Sequence, residues 1–294
     1  MEGEKVIIVN PEEFQRKKKI IVDGGVNNLQ IVTDFDRTLT SAVVNGKPGA
    51  SSYGVIEHSG LLSEEYHIKI REYFTKYSAI EEDPEMPIHL KIPFIVEWYQ
   101  KANQQLVKEK IPLKLFDEMI SKANLAFREG VHSFLESTSK NSVPVLVFSA
   151  GIGDLIERIF VHFEGRLHQN VHVVSNRVQT DENGIIVDFK EPLIHVFNKN
   201  EMALSHRSTA SWFESVSHRK NMILLGDSPG DVGMACGLGD AGAILKIGFL
   251  NTVHPTTLQT YKTLFDVIIL NDGSFEFPLG LLEEIAKGSS PIPF

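Results

Sequence analysis

The sequence predicts an α/β protein, a parallel sheet covered by helices and interrupted after its first core strand by a mainly helical cap. Continuous apolar runs recur at 29–33, 143–148, 171–174, 222–225, 244–247 and 265–270. Unbroken runs of this length suit strands buried on both faces. Stretches with apolar residues at three- and four-residue spacing separate most of these runs, and that alternation is the mark of a parallel sheet. Residues 45–125 break the rhythm. They open with the loop Asn45-Gly46-Lys47-Pro48-Gly49 and then carry helical spacing at 64–77, 92–108 and 113–127. The expected division is a core of residues 1–44 and 126–294 around a cap of 45–125.

Local signals fix the elements in order. Asn10 suits an N-cap, Pro11 the first helical position, and Glu12 and Glu13 the positive end of the helix dipole. Gly24-Gly25 stops that first helix, and the basic residues Arg16, Lys17, Lys18 and Lys19 read as its solvated face. Asp181-Glu182-Asn183-Gly184 is a turn between β-rich flanks, so a hairpin is predicted within 177–196. The glycine-rich turn Ser149-Ala150-Gly151-Ile152-Gly153 leads into a helix over 154–160.

Composition sets the class. The chain has 294 residues, enough for a large core, with 42% hydrophobic and 23% charged residues, which excludes a disordered or fibrous protein. Lys plus Arg is 29 against 38 for Asp plus Glu, a net charge of −9 that argues against nucleic-acid polymers and anionic membranes as partners. One cysteine, Cys236, rules out an intramolecular disulfide and a multi-cysteine zinc site. No apolar run approaches the roughly 18 residues of a membrane span, and residues 1–5 show no secretory pattern. A cytoplasmic monomer is expected.

The chemistry lies where three buried strands end in polar residues. These ends read Thr33-Asp34-Phe35-Asp36-Arg37-Thr38, Phe148-Ser149-Ala150-Gly151, and Gly226-Asp227-Ser228-Pro229-Gly230-Asp231. Carboxyl ends of neighbouring strands in an open parallel sheet line one crevice, so Asp34, Asp36, Ser149, Asp227 and Asp231 should converge. On a straight strand Asp34 and Asp36 would share a face. Crowded carboxylates repel unless a cation neutralises them, and an all-oxygen set favours Mg²⁺. The turn at 149–153, opening a helix, offers backbone N–H groups to a phosphate. Taken singly, each aspartate also reads as a turn-capping residue; three such strand ends in one chain favour a site. The scattered histidines include His168 and His172, which the strand at 171–174 keeps from sharing a helix face, so metal ligation by the two is not expected.

Asp34-Phe-Asp-Arg-Thr-Leu-Thr40, Phe148-Ser-Ala-Gly151, Phe197-Asn-Lys-Asn200 and Gly226-Asp-Ser-Pro-Gly-Asp231 resemble the four motifs of haloacid-dehalogenase-superfamily phosphatases. The cytosolic 5′-nucleotidase III group is the nearer likeness, supported by Ala79-Ile-Glu-Glu-Asp-Pro84, Val96-Glu-Trp-Tyr99, Arg128-Glu-Gly130 and Leu245-Lys-Ile-Gly-Phe-Leu-Asn251. The resemblance runs in order from about residue 10 to residue 285. It implies a Rossmann-like core in which Asp34 is the nucleophile, Asp36 the general acid and base, and Lys199 the neutraliser of the phosphoryl charge. It further implies that Mg²⁺ sits on the Asp34 carboxylate, the Asp36 carbonyl and the Asp227 carboxylate. Asp231 would support the lysine or a metal-bound water, while Ser149 and the Ala150 amide grip phosphoryl oxygens.

In the cap, Glu81 matches the glutamate that reads the nucleobase, and Tyr53, Trp98, Tyr99 and Phe94 are aromatic neighbours for the base. Such a set suits CMP, UMP or 7-methyl-GMP, whose methylated base carries positive charge and favours an aromatic face. A nucleoside in place of water would give phosphotransfer. The alternatives are a phosphatase for another small phosphomonoester and a catalytically silent binding protein. Three positions depart from the group: Arg37 where apolar residues are frequent, Ala102 where some members place a ligand-contacting serine, and Cys236 where an acidic residue is common.

Overall fold

The computed structural model describes residues 6–83, 85–199, 210–235 and 242–288; Cys236 lies outside them. In chain order the strands begin β1 (Val6–Ile8), β2 (Leu29–Thr33), β3 (Val43–Val44), β4 (Lys47–Pro48), β5 (Val145–Ile152) and β6 (Val171–Asn176). They continue with β7 (Val178–Thr180), β8 (Ile186–Phe189), β9 (Asn221–Gly226), β10 (Ile244–Leu250) and β11 (Val267–Leu270). Seven form one sheet in the order β1-β11-β10-β9-β2-β5-β6. All neighbours are parallel except β1, which runs antiparallel to β11.

From β2 the chain adds β5 and β6 on one side, then returns to add β9, β10 and β11 on the other. That reversal opens the ligand crevice at the carboxyl end of β2. Ile31, Val145, Val147, Ile223 and Leu225 enter one apolar cluster, while Val32, Leu146, Phe148 and Leu224 enter the opposite one. Both faces are therefore covered, which is why these strands read as unbroken apolar runs. Burying each such side chain contributes about 1.5–3 kcal/mol.

Helix α1 (Pro11–Gly24) begins as its sequence dictates: the Asn10 side chain accepts from the Glu13 N–H at 3.1 Å. Gly25, at φ 64°, ends it. In the basic run Arg16 and Lys19 pair with acids within the helix, but Lys17 reaches Asp266 at 2.7 Å in a largely buried contact. Strand β1 is absent from the sequence expectation, because three residues are too few to show a period.

Between β2 and β5 lie α2 (Ser52–Glu57), α3 (Glu64–Glu82), α4 (Ile88–Lys108), α5 (Leu115–Lys122) and α6 (Val131–Lys140). Helices α3 and α4 pack on each other, and α5 packs on α7 (Gly153–Glu164). Two boundaries differ from expectation. α4 starts at Ile88 and holds Pro93 inside it, although proline suits a first turn. The helix expected over 113–127 stops at Lys122. Beyond it Asn124 and Ala126 offer their carbonyls to Ala50 and Ser41, and Phe127 bridges Thr40, so the backbone is committed to the return into the core.

The β7–β8 hairpin turns where predicted, with Asp181 Oδ1 accepting from the N–H groups of Asn183 and Ile185 and Gly184 at φ 75°. Leu113 donates its N–H to the Gly184 carbonyl, which joins the hairpin to the segment after α4. No helix among the described residues is long and apolar enough to cross a membrane.

Candidate active site

Strand register alone brings three of the predicted residues together. Thr33 lies level with Val147 on β5 and with Leu225 on β9. The ladder continues one residue further, since Asp34 donates its N–H to the Leu225 carbonyl at 3.0 Å. Asp34, Ser149 and Asp227 thus emerge from three adjacent strands at one end of the sheet.

Lys199 completes the centre. Its ammonium donates to Asp34 Oδ1 at 2.5 Å and to Asp231 Oδ1 at 2.9 Å, with all three side chains buried. Asp231 is fully committed: its Oδ2 accepts from the N–H groups of Asp227 and Ser228 and from the Ser228 hydroxyl, at 3.1, 2.9 and 2.9 Å. It holds the lysine and shapes the turn after β9. Gly226 is required there, because a Cβ would stand 2.5 Å from that of Asp231.

Asp36 is placed differently from its expectation. Strand β2 ends at Thr33, so strand alternation does not govern Asp36, which lies in the turn that follows. Its carboxylate accepts from the backbone N–H and the hydroxyl of Ser52, both at 2.7 Å, at the start of α2. Arg37 is exposed and adopts φ 59°. Its carbonyl is held by Arg128 Nη2 at 2.5 Å and by Asn251 Nδ2 at 3.1 Å. The buried Arg128 also donates to the Thr38 and Gly273 carbonyls and lies over the Phe249 ring.

The segment 149–152, expected as a turn, is strand. β5 runs on to Ile152, with a register slip against β6 between Phe148 and Ile152, and α7 begins at Gly153. The Ser149 hydroxyl oxygen accepts from the Gly151 N–H at 3.0 Å. A Cβ on Gly151 would lie 2.0 Å from Ser52 Oγ, so glycine here lets β5 approach α2. The fully buried Asn176 donates through Nδ2 to the carbonyls of Ala150 and Ile194, both at 2.8 Å, and its Oδ1 accepts from the Ile194 N–H. It ties the Ser149 loop to the segment that carries Lys199.

Charge dominates this centre. Burial pushes the Asp34 carboxyl up to about 7, and Asp231 and Asp36 push the same way while Lys199 opposes them. Burial, then Asp34 and Asp231, raise Asp227 well above the usual carboxylate range. Carboxylate oxygens of Asp34, Asp227 and Asp231 lie within 4.8 Å of one another. One ammonium does not balance three carboxylates, and among the described residues the Asp227 carboxylate receives a long hydroxyl contact, 3.4 Å, from Thr38. An all-oxygen donor set short of positive charge fits Mg²⁺.

Toward the cap, Tyr53 and Tyr99 meet edge to face at 5.8 Å, and the Tyr53 hydroxyl donates to Asn103 Oδ1 at 3.0 Å. Burial raises the Tyr99 phenol, and so do Glu81, Asp36 and Asp34; this residue therefore feels Asp34, Asp36 and Glu81 together. Glu81 is half-buried near the end of α3, where the buried Lys91 donates to its backbone carbonyl at 2.6 Å. Trp98 stacks on Tyr77 at 5.9 Å and 15°, with Phe74 and Tyr99 at its edges, so one face of the indole is taken by packing. Phe94 is exposed, and Ala102 is packed against the apolar core. Sequence reasoning missed Ser52, Arg128 in its holding role, and Asn176. None has a spacing signal, although Arg128-Glu-Gly130 was visible as a motif.

A mainly parallel sheet in this strand order, with Asp34, Ser149 and Asp227 at the ends of three adjacent strands, is a fold of haloacid-dehalogenase type. The same fold occurs in a HAD-family hydrolase from Salmonella enterica, at a TM-score of 0.53 and 16% identity over 87% of this chain and 71% of that one. Residues 37–286 match the pyrimidine 5′-nucleotidase (UMPH-1) family, to which the chain belongs, so it is a phosphoric monoester hydrolase. The human 7-methylguanosine phosphate-specific 5′-nucleotidase is 35% identical over 95% of this chain and 92% of its own length. The crystal structure of cytosolic 5′-nucleotidase IIIB bound to cytidine superposes at a TM-score of 0.84, with 32% identity over 96% of this chain and 94% of that one.

Proposed function

We propose that this chain is a Mg²⁺-dependent 5′-nucleotidase that cleaves CMP, UMP or 7-methyl-GMP to nucleoside and phosphate through an aspartyl-phosphate. The observation that carries this is the buried trio Lys199–Asp34–Asp231 at the end of the central strand. Asp34 attacks phosphorus while the bond to the ribose 5′-oxygen breaks, and Asp36 gives that oxygen its proton. Asp36 then takes a proton from the water that attacks the aspartyl-phosphate, and phosphate leaves. Ser149, the Ala150 amide and Lys199 bind the phosphoryl oxygens as charge shifts among them. Asp231 keeps the ammonium in place.

The carboxylates of Asp34 and Asp227 and the carbonyl of Asp36 would hold Mg²⁺, which supplies the positive charge that Lys199 alone does not. Residues 45–125 act as the cap that selects the leaving group. There Glu81 accepts from the base edge beside Tyr53, Tyr99 and Trp98, and Ala102 leaves room without a hydroxyl contact. A nucleoside hydroxyl replacing water returns the phosphoryl group to a nucleoside. In this reading the enzyme works as a cytoplasmic monomer.

Phosphate release from the three nucleotides, measured in competition with Mg²⁺ present, tests the reading. Release that stops on chelation is expected. Turnover of sugar phosphates in preference to all three nucleotides would overturn it.

A further inference from the structure

A second group of ligating side chains shares no residue with the carboxylate centre. His132 and Glu136 are four residues apart on α6 (Val131–Lys140), hence on one face of that helix. Glu164, the last residue of α7, and His168, in the loop before β6, show the same spacing in reverse order. Ligand atoms of Glu136, Glu164 and His168 lie within 4.8 Å of one another.

His168 is the telling member. It is 2% exposed, and neither ring nitrogen makes a hydrogen bond, although buried polar groups are almost always satisfied. Its Nε2 points into the cluster, 3.5 Å from Glu164 Oε2 and 3.8 Å from Glu136 Oε1. These separations are long for hydrogen bonds. They approach the roughly 3.3–3.4 Å between two ligands of a tetrahedral ion with bonds of about 2.0–2.1 Å. His132 Nδ1 stands 2.7 Å from Glu164 Oε2, and Arg166 donates to Glu136 Oε1 at 2.8 Å. The Glu164 carboxylate is sealed, whereas Glu136 and His132 are exposed, so the cluster has a buried floor and a rim open to solvent.

We propose that His168, Glu164, Glu136 and His132 form a structural Zn²⁺ site that fastens α6 to the end of α7. Imidazole nitrogens mixed with carboxylate oxygens suit Zn²⁺ better than Mg²⁺, which prefers oxygen throughout. His168 Nε2 and one oxygen from each glutamate are the inner ligands. His132 completes the four by turning from its hydrogen bond on Glu164 to the ion, and Arg166 stays on Glu136 and fixes that carboxylate.

The test is calorimetric titration of Zn²⁺ into chelator-stripped full-length protein, with saturating Mg²⁺ present to occupy the catalytic carboxylates. The expected result is one equivalent bound, with affinity at least tenfold weaker in Glu136→Gln and His132→Ala and lost in His168→Ala. Asp227→Asn should keep it. Zinc should also raise the thermal midpoint of the wild type but not of Glu136→Gln, while Glu136→Gln leaves phosphate release unchanged. Absence of zinc binding, or binding that Glu136→Gln and His168→Ala leave within twofold, would overturn the site in favour of a plain His168–glutamate ion pair. Loss of the zinc in Asp227→Asn would move it to the catalytic cluster and equally overturn it. If His168→Ala does not fold, the two exposed variants decide.

Discussion

The two ends of the active-site region are built by opposite means. At the sheet end, Asp34, Ser149 and Asp227 take their positions from backbone register, with Thr33 level with Val147 and Leu225. At the cap end, Tyr53, Tyr99, Trp98 and Glu81 take theirs from side-chain packing on α2, α3 and α4. Register fixes a carboxylate through several strand hydrogen bonds at once, and packed helices fix an aromatic ring only as well as its neighbours fit. Chemistry should therefore be sensitive to single atoms at the first end, and selectivity should be graded at the second.

The largest effect is expected at Asp34. Replacing it with Asn should lower kcat by more than about a thousandfold, since the proposed nucleophile is then lost outright; single-turnover phosphate release on CMP would check this. Lys199→Ala should cost about 10²–10³ in kcat, the range for removing one positioned charge donor from a transition state. It should also leave Asp231 buried without its cation, which a lower thermal midpoint would register.

Glu81→Ala sharpens the contrast between the ends. It should reduce kcat/KM on nucleotides by about 10–100-fold, the size of one lost hydrogen bond to a charged group, yet leave p-nitrophenyl phosphate nearly untouched. Equal loss on both substrates would erase the division between reaction and recognition. Ser52→Ala is smaller, about tenfold in kcat, below the roughly 10²–10⁴-fold that a whole general acid–base group contributes, because Asp36 itself stays. The Ser52 hydroxyl holds the Asp36 carboxyl down against the rise caused by burial, so its removal should move the pH–rate profile toward higher pH.

The smallest effect concerns stability. Burial pushes the His195 imidazole down to about 4, and the Phe197 N–H donates to its Nδ1 at 3.2 Å, which requires a lone pair there. The unfolded chain takes up this proton near pH 6.5 and the folded one only near 4, so protons favour unfolding between those values. Stability should be full above about pH 6.5 and fall as pH drops toward 4. Urea midpoints from pH 7.5 to 4.5 should decline less in His195→Gln.

Much of the sheet end was legible because its information is local. An apolar run followed by Asp34-Phe35-Asp36 or Gly226-Asp227 declares both the strand and its chemical end. The placement of Asp36 was not legible, because it depends on Ser52, sixteen residues away, donating twice to one carboxylate. Arg128 and Asn176 escaped for the same reason: each binds carbonyls that no sequence pattern marks. Glu81 and Tyr99 were visible by resemblance, but that Tyr99 feels Glu81 together with Asp34 and Asp36 emerges only once α3 and α4 are packed. The stacking of Trp98 on Tyr77 likewise joins two helices whose mutual rotation the periodicity leaves free.

Asn176 has a further consequence for how such a protein can vary. Its amide fastens Ala150 on one side and Ile194 on the other, and the β7–β8 hairpin lies in the stretch of chain between Asn176 and Ile194. The excursion is thus clamped at its neck. Residues can be added to or removed from the hairpin tip without altering the distance between the Ser149 loop and the Lys199 segment, since lengthening a surface loop has only a slowly growing entropic cost. The hairpin is tied beyond that neck to residues 111–113, so a change at its tip would be felt there while the Ser149 and Lys199 segments keep their spacing.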